Sequence, residues 1–116
     1  MRPEDRDRAI LWDMREFARA AHRIVRRIGF ARLAADATRR LALERALELL
    51  GEAAKRVSAP LQRAHPEIGW RDIIGQRNVL AHDYGEIDHR KLFDTARLKV
   101  PLLIAELDRI LGGDKT

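Results

Sequence analysis

The segment with chemistry in it runs Trp70-Arg-Asp-Ile-Ile-Gly-Gln-Arg-Asn-Val-Leu-Ala-His-Asp-Tyr-Gly85. Within it Arg77, Asn78, His82 and Tyr84 carry groups that bind anions, move protons or stack on bases. Placed on a helix, Ile73, Arg77 and Leu80 follow one another at steps of four and three, as do Ile74, Arg77 and Ala81. Arg77 therefore lies in the middle of an apolar stripe. Covering a guanidinium is costly unless an anion or a hydrogen-bond acceptor meets it. Either a core acid, Glu52 or Glu48, pairs with Arg77 and ties two helices together, or the guanidinium serves an external anion. Both hold if the acid positions a guanidinium that also meets a phosphate.

Asn78 and His82, four apart, form the adjacent row. An imidazole titrates near neutral pH, which suits proton transfer, although a single His near a helix end equally serves as a cap or spacer. On an unbroken helix His82 and Tyr84 would diverge by about 200°. They share a site only if the helix ends between them, and Gly85 makes such an end plausible. The remaining histidines, His22, His65 and His89, lack metal-ligand spacing, so no metal and no cofactor is expected. With no Cys in the chain, disulfides and cysteine nucleophiles are excluded. Neither a phosphate-binding glycine loop nor a nucleophile elbow occurs.

The elements that must position these residues read as helices. Ile10, Leu11, Met14, Phe17, Ala21, Ile24, Val25 and Ile28 make one stripe of a helix over roughly residues 4–28. A second helix is expected from about Phe30 to Val57, with Leu43, Ala46, Leu47, Leu50, Ala53, Ala54 and Val57 as its main stripe. Leu41 and Leu49 fall off that stripe, so this helix has two apolar sides and a use for two partners, one of them a second copy of the chain. Gly51, inside the helix, predicts close approach of another backbone. Ser58 is placed to cap a short helix with Pro60 in its first turn, and His65-Pro66 ends it. The motif helix starts near Gly69 or Trp70 and continues to about Asp83. Asp88 caps the last helix, which Pro101 should kink. The expectation is an all-α antiparallel bundle of four to five helices spanning residues 1–111 as one domain, with 112–116 a flexible tail.

Composition agrees. The 116 residues are 35% charged and 46% hydrophobic, with few Gly and Pro, a balance that favours helix. The formal charge of +5 favours polyanions, RNA foremost, although a solvated arginine-rich surface accounts for the charge equally well. Residues 1–56 carry 14 Lys and Arg against 9 Asp and Glu, while residues 57–116 balance at 9 and 9, so the attraction belongs to the first half. Charges interrupt every apolar run before it reaches signal-peptide or membrane-span length, which makes the cytoplasm the default location and leaves no role for a membrane.

Arg77-x4-His82-x-Tyr84 resembles the Arg-x4-His-x-Tyr motif of HepT toxins, within the wider HEPN superfamily. Thr38-Arg-Arg-Leu-Ala-Leu-Glu-Arg-Ala-Leu-Glu-Leu-Leu-Gly-Glu-Ala-Ala-Lys55 resembles that family's second helix with its Gly-Glu-Ala. Ile68-Gly69-Trp70-Arg71 resembles its Ile-Pro-Trp-Arg, with Gly69 where the family has proline, and Leu98-Lys-Val-Pro-Leu-Leu103 echoes the proline of its last helix. The resemblance covers nearly the whole chain. It implies a HEPN-like helical bundle that dimerises so that two motifs line one cleft, and a metal-independent endoribonuclease acting as the toxin of a toxin–antitoxin system. It also implies a partner, an MntA-like nucleotidyltransferase antitoxin that transfers AMP from ATP onto Tyr84.

On that reading the ribose 2′-hydroxyl attacks its own phosphorus, His82 transfers a proton, and Arg77 stabilises charge on the phosphoryl oxygens. Asn78 orients the phosphate or the imidazole, Tyr84 positions RNA, and Glu52 supports Arg77 from behind. Two rivals come from other classes: a non-catalytic partner protein that serves only as the transferase's substrate, and a helical scaffold that binds nucleic acid through its basic half.

Overall fold

The computed structural model describes residues 2–82, 85 and 87–112. Seven α-helical segments occur among them: α1 (Pro3–Val25), α2 (Phe30–Ala34), α3 (Ala37–Arg56), α4 (Ala59–Ala64), α5 (Trp70–His82), α6 (His89–Asp94) and α7 (Val100–Gly112). A 3-10 turn (Pro66–Ile68) leads into α5, and a π turn (Thr95–Lys99) joins α6 to α7 without a break. Four long rods result, α1, α3, α5 and the joined α6–α7, with no strand among the described residues. The all-α bundle is therefore as expected.

The core forms where α1 packs against both α3 and α7. Leu11, Met14, Val25, Leu43 and Leu47 are fully buried there, each on the stripe that apolar spacing assigns to its helix, and Leu107 of α7 is fully buried with them. Burying such a side chain contributes about 1.5–3 kcal/mol, which is why these stripes dictate the rods. The motif helix α5 packs on α3.

Three local features differ from expectation. The helix expected over Phe30–Val57 is two. Asp36 adopts an extended backbone (φ −121°, ψ 98°), and its carboxylate accepts the Arg39 backbone N–H at 3.1 Å, capping α3. An Asp side chain offers the backbone this alternative to continuing a helix, and here it prevails. Arg40 then donates to the Leu33 and Ala34 carbonyls at the end of α2.

Ser58 precedes α4 but makes no side-chain cap to it. Its hydroxyl and its backbone N–H instead donate to the carboxylate of Asp7, a buried acid on α1. A buried carboxylate needs such donors, and this need outranks a helix cap. Pro101 does remove a backbone donor, but the irregularity lies upstream, where the Val100 N–H reaches back five residues to the Thr95 carbonyl.

Gly51 behaves as expected: a Cβ placed there would stand 2.2 Å from Arg77 Cβ and 2.9 Å from the Ile73 carbonyl oxygen. Helix α7 runs through Gly112, one residue into the segment expected to be tail, while residues 113–116 lie outside the described residues.

Candidate functional site at the crossing of α3 and α5

Helix α5 is anchored at its start. The Trp70 indole is buried and its Nε1 donates to the His65 carbonyl at 2.9 Å. Gly69, just ahead, has φ +77°, a conformation closed to proline, whose ring holds φ near −65°. The turn is thus built differently from the Ile-Pro-Trp-Arg sequence that Ile68–Arg71 resembles. From this anchor α5 crosses α3 at Gly51, and the missing side chain there seats Arg77 against the α3 backbone.

For Arg77 the structure shows the pairing with a core acid. Its side chain is only 18% exposed, and Nη2 donates to Glu52 Oε1 at 2.9 Å and Oε2 at 3.3 Å. Nη1 donates to Asn78 Oδ1 at 3.1 Å. The acid is Glu52; Glu48 pairs with Arg45 on its own helix. Because Glu52 is itself 41% exposed, the pair lies in the class worth about 0–1 kcal/mol. That is too little for a stability device, yet enough to fix the plane of a guanidinium fork. Arg77 Nε, like Arg15 Nε on α1, is buried with no hydrogen-bond partner among the described residues.

Arg77, Asn78 and Glu52 therefore come together. His82 stands apart, exposed in the last turn of α5 and without a hydrogen bond among the described residues. Five residues on a helix separate the two side chains by about 140° in direction and 7.5 Å in rise. Asn78, at an intermediate angle, bridges the guanidinium to the exposed row that ends in His82. Tyr84, the expected RNA contact and AMP acceptor, lies outside the described residues, as does Asp83. Among the described residues, no three His, Cys, Asp or Glu side chains group so as to hold a metal ion. His89, set aside for its spacing, pairs through Nε2 with Glu44 Oε2 at 2.6 Å, linking α6 to α3.

Residues 14–110 match the family model described as Ribonuclease HepT-like. The chain belongs to the HepT-like ribonuclease family. A “Probable ribonuclease HepT” of Thermococcus cleftensis is 33% identical over 100 residues, which cover 86% of this chain and 91% of the relative. A “Putative RNase” of Caldanaerobacter subterraneus subsp. tengcongensis is 30% identical over 78% of this chain and 81% of its own length. One from Methanocaldococcus jannaschii is 29% identical over 87% and 93%. No solved structure matches the chain. HepT-like membership places the Arg77–His82 segment inside the matched region, and no described helix is long and apolar enough to cross a membrane.

The groove along the other flank of α5, and the open glycine Gly75 beside it, escape sequence reading. Finding them requires knowing which face of α5 adjoins α7.

Proposed function

We propose that this HepT-like protein is a metal-independent endoribonuclease, the toxin of a toxin–antitoxin pair, working as a homodimer in the cytoplasm. The observation that carries the reading is the Glu52–Arg77–Asn78 chain of hydrogen bonds, which holds a guanidinium fork beside the exposed row ending in His82. With Nη2 on Glu52 and one Nη1 hydrogen on Asn78, the fork keeps the other Nη1 hydrogen for a phosphoryl oxygen. In the reaction a base removes the proton of the ribose 2′-hydroxyl, and that oxygen bonds to phosphorus. The bond from phosphorus to the 5′-oxygen breaks, and an acid returns a proton to the leaving oxygen. His82 serves one of these transfers and the second copy's imidazole the other. Arg77 stabilises the charge that grows on the phosphoryl oxygens.

The angular separation of Arg77 from His82 within one chain favours sharing between copies. Leu41, 64% exposed on the outer face of α3, is apolar surface that a second copy would cover.

Regulation in this reading falls on Tyr84. Its phenolic oxygen attacks the α-phosphorus of ATP, pyrophosphate departs, and the antitoxin's base takes the phenolic proton. The tethered AMP brings about one negative charge to Arg77 and occupies the space of a substrate nucleotide. Light scattering should give twice the 13.3 kDa chain mass. Incubation with ATP, magnesium and a cognate MntA-like transferase should add AMP to the intact protein and abolish RNA cleavage, and Tyr84→Phe should escape both. A clean monomer, AMP on another residue, or a modified protein that still cleaves RNA would refute the corresponding part.

A further inference from the structure

A groove of about 610 Å³ lies on the flank of α5 away from Glu52, between α5 and the α6–α7 rod. That volume is in the range of small-ligand sites. Leu47, Leu50, Ile68 and Leu103 line it with apolar surface, and Arg71, Lys91 and Lys99 stand among its lining residues. All three cations are exposed, and none has an ion pair or side-chain hydrogen bond among the described residues. The one acid on the groove, Asp72, leaves it with a surplus of two positive charges. Its far wall includes Thr95 and Lys99 of the π turn, a helix irregularity that is frequent at functional sites.

Gly75 supplies a second, independent observation. It lines the same groove, it is exposed, and a Cβ built on it would meet nothing within 4 Å. Gly51 is needed for packing inside the chain; Gly75 is not. A glycine inside a helix is unfavourable relative to alanine, and on an open face its use is to let another backbone come close. It sits between Arg71 and Asn78 on the exposed row of α5, so whatever crosses the helix there passes from the groove to Asn78 and His82.

We propose that this groove is a nucleotide subsite of the RNA substrate. The base of a residue flanking the cleaved bond rests on the apolar floor, and Arg71, Lys91 and Lys99 take the neighbouring phosphates. The strand crosses α5 over Gly75 to bring its phosphodiester to Asn78, Arg77 and His82. The occupant is a nucleic acid strand and not a protein helix because the apolar floor is edged by unmatched cations, the complement of a base flanked by phosphates. The proposal rests on the ribonuclease reading.

The test uses the full chain and a short fluorescein-labelled 2′-O-methyl oligoribonucleotide of mixed sequence, which cannot be cleaved. Its binding is followed by anisotropy across a salt series, beside cleavage of the unmodified RNA. Each lost phosphate contact to a single strand lowers the slope of log affinity against log salt by about 0.7, so Lys91→Ala/Lys99→Ala should lower it by about 1.4. Gly75→Leu should raise the melting temperature, since the side chain meets no neighbour, while weakening binding several-fold. These opposite movements are what a purely structural glycine would not give. An unchanged slope in the lysine pair, or full affinity in Gly75→Leu, would overturn the proposal. So would conversion of a dimer to monomers by Gly75→Leu with RNA binding intact, which would assign the face to a second copy. Cleavage by wild type with a slope that the lysine pair does not move defeats the groove alone. The expected slopes without any cleavage defeat the ribonuclease reading alone.

Discussion

Gly51→Ala is the perturbation with the most to say about how the fold serves the site. The added Cβ would lie 2.2 Å from Arg77 Cβ and 2.9 Å from the Ile73 carbonyl oxygen, and the second neighbour is backbone that cannot rotate aside. The approach to Arg77 must open to an ordinary 3.4 Å, so α5 retreats by about 1.2 Å at the crossing. Overpacking of this kind costs about 1–3 kcal/mol, against a gain of at most about 1 kcal/mol from replacing a helical glycine. With the full offset the net loss is about 0–2 kcal/mol, a fall of up to roughly 8 °C in Tm at this chain length. The same retreat carries Arg77 away from Glu52, and a displacement near 1 Å at a reacting centre costs about 100-fold in rate. Thermal melts and RNA cleavage by the folded variant measure the two effects. Gly75→Ala, on the open face of α5, is the control for the melting measurement alone and should raise Tm. Gly51→Ala with an unchanged or higher Tm and full activity would refute the argument that this glycine seats the arginine.

Three further outcomes are expected. Glu52→Ala should leave the stability within about 1 kcal/mol of wild type, because the pair is partly exposed, while lowering RNA cleavage about 10- to 100-fold through a misoriented Arg77; equal activity would remove Glu52 from the site. Asp7→Ala should destabilise by about 1–3 kcal/mol in urea denaturation, since it strands the Ser58 hydroxyl and N–H, and Ser58→Ala should cost less. The Asp36 carboxyl is held below its usual 3.8, first by the Arg39 backbone N–H and also by the Arg39 guanidinium. The stability it contributes is present above the usual carboxylate range and is lost as pH falls through the depressed value; Asp36→Ala should therefore weaken the pH dependence of Tm in that acid window and leave it unchanged near neutrality.

The parts of this molecule legible in the sequence are those that repeat along it. The stripe from Ile10 to Val25 and the stripe from Leu43 to Ala54 are buried because many side chains vote for the same face. Arg77 was legible for the converse reason, a charge in the middle of an apolar stripe, but sequence left Glu52 and Glu48 open as its acid and the fold chooses Glu52. The break at Asp36 depends on one side chain bonding one backbone N–H, a signal that periodicity averages away. Ser58 has the type and position of a cap, and its diversion to Asp7 spans 51 residues, beyond any local pattern. The groove beside Gly75 is assembled from α3, α5 and the α6–α7 rod, so no single stretch of chain contains it. Gly51 and Gly75 look alike in sequence; only the helix crossing separates a glycine that packs from one that lies open.

The central claim is that Arg77 and His82 promote attack by the RNA's own 2′-hydroxyl without a metal ion. Mass spectrometry of the RNA ends left by purified protein in excess chelator tests it most directly, with His82→Ala and a substrate lacking the 2′-hydroxyl at the cleaved position run alongside. The expected products carry a 2′,3′-cyclic phosphate and a 5′-hydroxyl, the 2′-deoxy position resists, and His82→Ala cleaves about 10²- to 10⁴-fold more slowly. Products ending in 3′-hydroxyl and 5′-phosphate, cleavage lost to chelator, or undiminished cleavage by His82→Ala would contradict it.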